Sequence, residues 1–182
     1  MTHERKDGNI AAKDLARTPP SLFKKLDDRF HFYVDAAASK DNHLCDMHMS
    51  QELPDYPTDK GNIGNALTKI DWTPRCFTFY CNPPYSRGWI EKFCKKAYEE
   101  SLKGATVVML LPADTSTKYY RDYCTKASEI IFIQPRVHFN NPDGTRMEGA
   151  PQFGSMVVVF KQEDFDGSPV ISCMDWRDEV KQ

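Results

Sequence analysis

The most constraining feature of this chain is the run Val107-Val108-Met109-Leu110-Leu111, five consecutive apolar residues closed by Pro112. A half-solvated strand would alternate apolar and polar residues. A continuous run of this length, rich in β-branched residues, is a strand buried on both faces, and that requires a sheet with helices packed on either side. "RCFTFYC" (Arg75–Cys81) and "SMVVVF" (Ser155–Phe160) have the same character. Between the first two runs, Trp89, Ile90, Phe93, Ala97 and Tyr98 fall on one side of an amphipathic helix reaching Ser101. Strand alternating with helix predicts a mostly parallel α/β sheet with helices on both faces.

The remaining segments fit this frame. "TPPSLFKKLDDRF" predicts a helix capped by Thr18 with Pro19 and Pro20 in its first turn, and Leu22, Phe23, Leu26 and Phe30 recur at helical spacing. Phe32 to Asp35 reads as a short strand running into Ala36, Ala37 and Ala38. Lys40 to Lys69 is loop-rich, with one short helix expected around Asn42–Met49. "STKYYRDYCTKA" reads as a helix, and "SEIIFIQ" and "RVHFN" as two strands or one broken strand. "NPDGTRMEGAPQFG" reads as an exposed loop, and "SMVVVF" as the closing strand, antiparallel to its partner. The first 15 residues are polar and expected to be poorly ordered, leaving 16–182 as one domain.

Composition excludes several classes. Lys plus Arg number 24 against 26 Asp plus Glu, so any nucleic-acid partner must be met by a local basic surface. No apolar run approaches a membrane span, and no secretory leader is visible at the N-terminus, so a cytoplasmic protein is expected. The six cysteines form no C-x-x-C pair and are expected to be reduced. His43, Cys45 and His48 make only an incomplete zinc set, and a polar loop is the simpler reading. No metal is expected.

In open parallel sheets, ligands sit outside the carboxyl ends of the strands. Two such ends carry chemistry: Asp35 with its alanines, and Asn82-Pro83-Pro84-Tyr85. Leu111-Pro112-Ala113-Asp114 is a weaker third. Pro83 and Pro84 lack a backbone N–H and have fixed φ, so they present carbonyl oxygens from a stiff frame. Asn82 adds a side-chain acceptor. Two rigid acceptors suit a ligand with two N–H donors, such as the exocyclic amine of a nucleobase, and the Tyr85 ring offers a surface on which a base can stack.

"NPPY" after an apolar strand resembles the catalytic motif of amino-methyltransferases that use S-adenosylmethionine. The ordered set "TPPSLFKKL", "FYVDAAA", "ALTKIDW", "FYCNPPYSRGWIEKFCKKAYEE", "VVMLLPADTSTKYYRDY" and "RVHF…GAPQFGSMVVVF" resembles phage-type DNA N6-adenine methyltransferases over about Ala16 to Phe160. That resemblance implies a Rossmann-like methyltransferase fold, S-adenosylmethionine as cofactor, DNA as partner, and location in the host cytoplasm if phage encoded. It implies catalytic Asn82, Pro83, Pro84 and Tyr85. It implies a cofactor site drawn from Thr18, Pro19, Asp35, Ala36, Ala37, Asp59, Asp71, Trp72 and Asn82. It sets Phe139 opposite Tyr85 on the target base. The glycine-rich loop of many methyltransferases is missing here.

Ser86, Arg87 and Arg146 complete the substrate-binding set, with Arg146 in a loop placed to meet phosphates or base edges; Arg87 and Lys118 are candidate phosphate contacts. Each has a plainer alternative. Asp35 can cap a helix starting at Ala36, Asp71 can open an ordinary turn, Phe139 can be core, and lone basic residues are usually solvated. Competing functions are methylation of RNA or of a protein glutamine, and an inactive methyltransferase fold that binds DNA.

Overall fold

The computed structural model describes residues 14–39, 41–50, 61–69, 71–72, 77–86, 88–149 and 152–177. Its elements are α1 (Pro20–Phe30), β1 (Val34–Ala38), β2 (Met47–Ser50), β3 (Thr78–Cys81), α2 (Trp89–Ser101), β4 (Thr106–Pro112), α3 (Lys118–Asp122), β5 (Glu129–Gln134), β6 (Ser155–Phe160) and β7 (Val170–Asp175). They form one seven-stranded sheet in the order β2-β1-β3-β4-β6-β5-β7. The first four strands in that order pair in parallel, β6 runs antiparallel to both β4 and β5, and β7 pairs in parallel with β5. This is a Rossmann-like α/β architecture.

Period-two alternation builds a core on each face. Phe79, Cys81, Val107, Met109, Leu111, Met156 and Val158 face one layer, where Ile90, Phe93 and Ala97 of α2 cover them. Tyr80, Val108, Leu110, Ile131 and Val157 face the other, where Leu22 and Leu26 of α1 cover them. Burying side chains of this size contributes about 1.5–3 kcal/mol each relative to exposure, which explains why the strands carry no polar alternation.

Four sequence expectations change. "RVHFN" forms no strand, and only "SEIIFIQ" supplies one, as β5. Asn42–Met49 forms no helix; Met47–Ser50 is instead β2, whose outer edge is covered by the 61–64 segment through His48 N–H to the Gly61 carbonyl (3.0 Å) and Ser50 N–H to the Gly64 carbonyl (3.1 Å). Gly61 has φ +81°, and a Cβ there would lie 2.1 Å from the Asp46 carbonyl oxygen, so this close approach needs glycine. Ser155–Phe160 is not the closing strand, because β7 follows it. Val170, Ile171 and Cys173 of β7 are exposed, so its sequence lacks the buried-strand signature. Finally, Thr18 does not cap α1. Pro19 is the N-cap, and no side chain supplies a cap hydrogen bond.

Among the described residues no helix is long and apolar enough to cross a membrane, and no group of three or more His, Cys, Asp or Glu could hold a metal. The His43 and His48 rings stack 4.4 Å apart, and His43 Nδ1–H donates to the Cys45 carbonyl (3.0 Å).

Candidate active site

The chain leaves β1 for β2 on one side and returns to β3 on the other, so the strand order switches between β1 and β3. A cleft opens outside the carboxyl ends of these two strands, where such sheets bind ligands. Asp14, Thr18, Asp35, Ala37, Asn42, Leu44, Tyr80, Asn82, Pro83, Pro84, Tyr85 and Phe139 are among the residues lining it. It is narrow, with a volume of about 40 Å³.

Register and alternation explain this convergence. Asp35 pairs with Tyr80 across β1 and β3. Asn82 lies two residues beyond Tyr80 and so leaves β3 on the same face, the one covered by α1. Thr18, just before the proline that caps α1, therefore meets both. Its Oγ1 accepts from Asn82 Nδ2–H at 3.1 Å and shares a 2.7 Å hydrogen bond with the Tyr80 hydroxyl. Burial drives the Tyr80 phenol well above its ordinary pKa, so it remains a neutral hydroxyl. With Nδ2 held in this way, Asn82 Oδ1 is a buried acceptor with no hydrogen-bond partner among the described residues. Leaving such a group unpaired costs about 1–3 kcal/mol, a cost that an incoming N–H donor would remove.

The two aromatic residues form the opposite boundary. Tyr85 and Phe139 meet edge to face, with centroids 5.9 Å apart and planes at 85°. The Tyr85 hydroxyl donates to the Leu110 carbonyl at 3.3 Å, which anchors the ring, and burial raises its pKa so that it stays neutral. Ser86 follows. Its N–H donates to Asp14 Oδ1 (2.8 Å) and its Oγ–H to Asp14 Oδ2, so Asp14 clasps the turn between Tyr85 and α2. Gly88, with φ 87°, then caps α2.

Asp35 lies at the other end of the cleft. It is a strand residue and not a helix cap. Its Oδ1 accepts from Ala37 N–H and its Oδ2 from Leu44 N–H, both at 3.1 Å. Burial raises its carboxyl to about 6, and the two amides and the nearby His43 pull the other way without overcoming it.

Several residues singled out in the sequence lie elsewhere. Ala36 points to the α2-side core, as its alternation with Asp35 and Ala37 demands. Pro19 lines a separate groove on the other side of the α1 entry, together with Arg146. Trp72 is fully buried against Phe79 (5.0 Å), and its Nε1–H donates to the Ala66 carbonyl (3.0 Å). Asp71 pairs with Lys103 at 2.7 Å. Both belong to a clamp around Glu100, which accepts from Trp72 N–H (2.9 Å), Lys96 (2.6 Å) and Lys103 (3.0 Å). The clamp fastens the 71–72 segment to the end of α2 and does not reach the cleft. Lys118 is paired with Glu91 of α2. Asp59 and Arg87 lie outside the described residues.

Asp14, Asn42, Leu44 and Tyr80 were not singled out in the sequence. Tyr80 had a readable signal, its i, i+2 spacing from Asn82. The other three sit in segments without periodicity and reach the cleft only through tertiary contacts.

A family model described as DNA N-6-adenine-methyltransferase (Dam) matches residues 6–181. A DNA N-6-adenine-methyltransferase of Escherichia phage T1 is 37% identical over 125 residues, covering 68% of this chain and 46% of the relative. A DNA N-6-adenine-methyltransferase of Haemophilus phage HP1 is 34% identical over 164 residues, covering 86% of this chain and 83% of the relative. The chain thus spans about half the length of the first relative and most of the second.

Proposed function

Since the chain belongs to the DNA N-6-adenine-methyltransferase (Dam) family, a family of enzymes, we propose that it methylates the N6 amine of adenine in DNA. The methyl donor would be S-adenosylmethionine, and the target base would be turned out of the helix into the cleft. The observation that carries this reading is Asn82 Oδ1: a buried, unpartnered acceptor on a stiff diproline frame, beside an aromatic pair.

The adenine amine is a poor nucleophile because its lone pair is delocalised into the ring. Asn82 Oδ1 and the Pro83 carbonyl would accept its two N–H bonds, favour tetrahedral geometry and localise the lone pair. Positive charge develops on that nitrogen during transfer, and the same fixed dipoles stabilise it without reorganising. Thr18 acts as a positioning residue: by accepting from Nδ2–H it holds the oxygen end of the amide available. Tyr85 and Phe139 would hold the purine by its face and edge; Arg146 would contact the DNA outside the cleft.

The donor set also suits the cofactor. The Asp35 carboxylate, the Asn42 amide and the small Ala37 side chain offer hydrogen-bond partners and room for close approach at one end of the cleft. When bound, S-adenosylmethionine supplies the methyl as an electrophilic sulfonium carbon, so the protein need only align it with the amine.

The reading is tested by incubating the protein with S-adenosylmethionine labelled in its methyl group and with DNA, RNA or protein. Nucleosides are then separated after digestion. Label in N6-methyladenine from DNA is expected. Label confined to RNA or protein overturns it.

A further inference from the structure

A second concavity adjoins the cleft. It is a groove of about 510 Å³, and Arg136, Arg146, Arg177, His138, Asn140 and Trp176 are among the residues lining it. No carboxylate lines it among the described residues. The chain as a whole is slightly acidic, with a formal charge of −2, so three guanidiniums around one groove are a local departure from the average.

The groove and the cleft are the two sides of one wall. The 17–19 segment pairs with the 138–140 segment through Arg17 N–H to the Asn140 carbonyl (2.8 Å) and Asn140 N–H to the Arg17 carbonyl (2.9 Å). Asn140 also bridges to Arg146, and Met147 N–H donates to the Phe139 carbonyl (2.9 Å), so the arginine-bearing loop is fixed to the same wall. Side chains alternate across it. Thr18 and Phe139 line the cleft, whereas Pro19, His138 and Asn140 line the groove. The far rim comes from the residues after β7. Trp176 N–H donates to the Gln134 carbonyl (3.1 Å) and its Nε1–H to the Pro135 carbonyl (2.9 Å), which holds the ring in place.

We propose that this groove holds the sugar–phosphate backbone of the DNA flanking the nucleotide in the cleft. The inference rests on the methyltransferase reading for the identity of the neighbouring nucleotide. Guanidiniums are permanently charged, and their planar donor sets match phosphate oxygens. The wall is a single strand pair whose side chains alternate between the two hollows, so a base lodged against Phe139 leaves adjoining phosphates within reach of His138 and Asn140. His138 Nδ1 is buried without a partner among the described residues, a second polar atom that a ligand could satisfy. Arg146 makes no ion pair among the described residues. Arg177 is already held by Asp175 (2.6 Å), and Asp143 and Glu148 are exposed in the loop that carries Arg146. The Asp175 pair orients the guanidinium but also tempers its charge, so Arg146 should contribute more than Arg177.

The test is the salt dependence of DNA affinity, measured on the whole chain with an adenine-containing duplex and repeated for R136A/R146A/R177A, R146K and K95A. Each phosphate deprived of its guanidinium should make the slope of log affinity against log salt shallower by about 0.9. The triple variant is therefore expected to have a slope shallower by roughly 2–3, with a raised KM for DNA and unchanged cofactor affinity. R146K should keep the parent slope. So should K95A, because Lys95 is on α2, across the sheet. All three arginines are exposed, and melting curves matching the parent would exclude misfolding. A triple variant with the parent's slope overturns the groove assignment even if methyl transfer is intact. A groove-dependent slope without any methyl transfer supports it and overturns the methyltransferase reading instead.

Discussion

The cleft and the groove share a wall yet differ in nearly every physical respect. The cleft is tight, and its polar atoms are hydrogen-bonded to one another across long sequence separations. Apart from Asp14, it is built from neutral groups and from Asp35, whose carboxyl resists ionisation. The groove is more than ten times larger and is rimmed by side chains whose charge cannot be removed. Rigid dipoles in a confined space discriminate between a ground state and a charged transition state. Permanent charges at an open surface attract a polyanion with little regard for its sequence. The contrast separates chemistry from capture, and it predicts that damage to one side will leave the other's signature intact.

The largest effect is expected at Asn82. Asn82→Ala removes an acceptor aimed at developing charge, so kcat should fall about 10²–10³-fold. Folding, cofactor affinity and the salt slope of DNA binding should stay near those of the parent, because Oδ1 has no partner among the described residues and the bond lost from Nδ2–H leaves Thr18 Oγ1 still paired with the Tyr80 hydroxyl. Turnover equal to the parent's would remove the catalytic role.

Thr18→Val comes next. It keeps the shape at α1's entry but removes the acceptor that orients the Asn82 amide, leaving Asn82 free to turn. A fall in kcat of about tenfold, equivalent to one hydrogen bond of roughly 1.4 kcal/mol, is expected with little change in the KM for DNA. Thr18→Ser should restore it. If serine fails to rescue, Thr18 matters through packing rather than through its hydroxyl.

Asp35 gives an effect, read mainly in stability, that depends on pH. The carboxyl titrates near 3.8 when unperturbed and at about 6 in the folded chain, so the folded state binds its proton more tightly. Its contribution to stability is fully present below about pH 4, is lost as pH rises through 6, and is constant above that. Two pKa units correspond to about 3 kcal/mol. Asp35→Asn should therefore flatten the melting temperature between pH 4 and 7. It should also abolish any gain in cofactor affinity as pH rises through 6. An unaltered pH profile in the variant would show that another group titrates there. The smallest effect is expected from the single substitution Arg177→Ala, whose charge is already shared with Asp175; its salt slope should change by less than that of Arg146→Ala.

Much of the scaffold is legible in the order of residues. The uninterrupted apolar residues of β4 and β6 specify strands covered on both faces, and the face of α2 is written in its 3.6-residue spacing. The diproline stop after β3 is equally local, because proline's missing N–H and fixed φ act on the residues beside it. The misreadings also have local causes. β2 is four residues long with a polar face, and β7 is an exposed edge strand, so neither has a hydrophobic signature. The position of Asp71 and Trp72 is equally hidden in the sequence, because they are held through Glu100, reached only when α2 folds back beside them.

What the amino-acid order determined on its own was the layered α/β plan and a rigid pair of oxygen acceptors at a strand's carboxyl end, since both follow from interactions within a few residues. Which residues gather around that strand end was decided by tertiary structure alone. Thr18 reaches Asn82 across 64 positions, and Arg177 joins Arg136 and Arg146 only because β7 adds itself beside β5. Strand order and helix placement are properties of the whole packed sheet, so no local pattern records them.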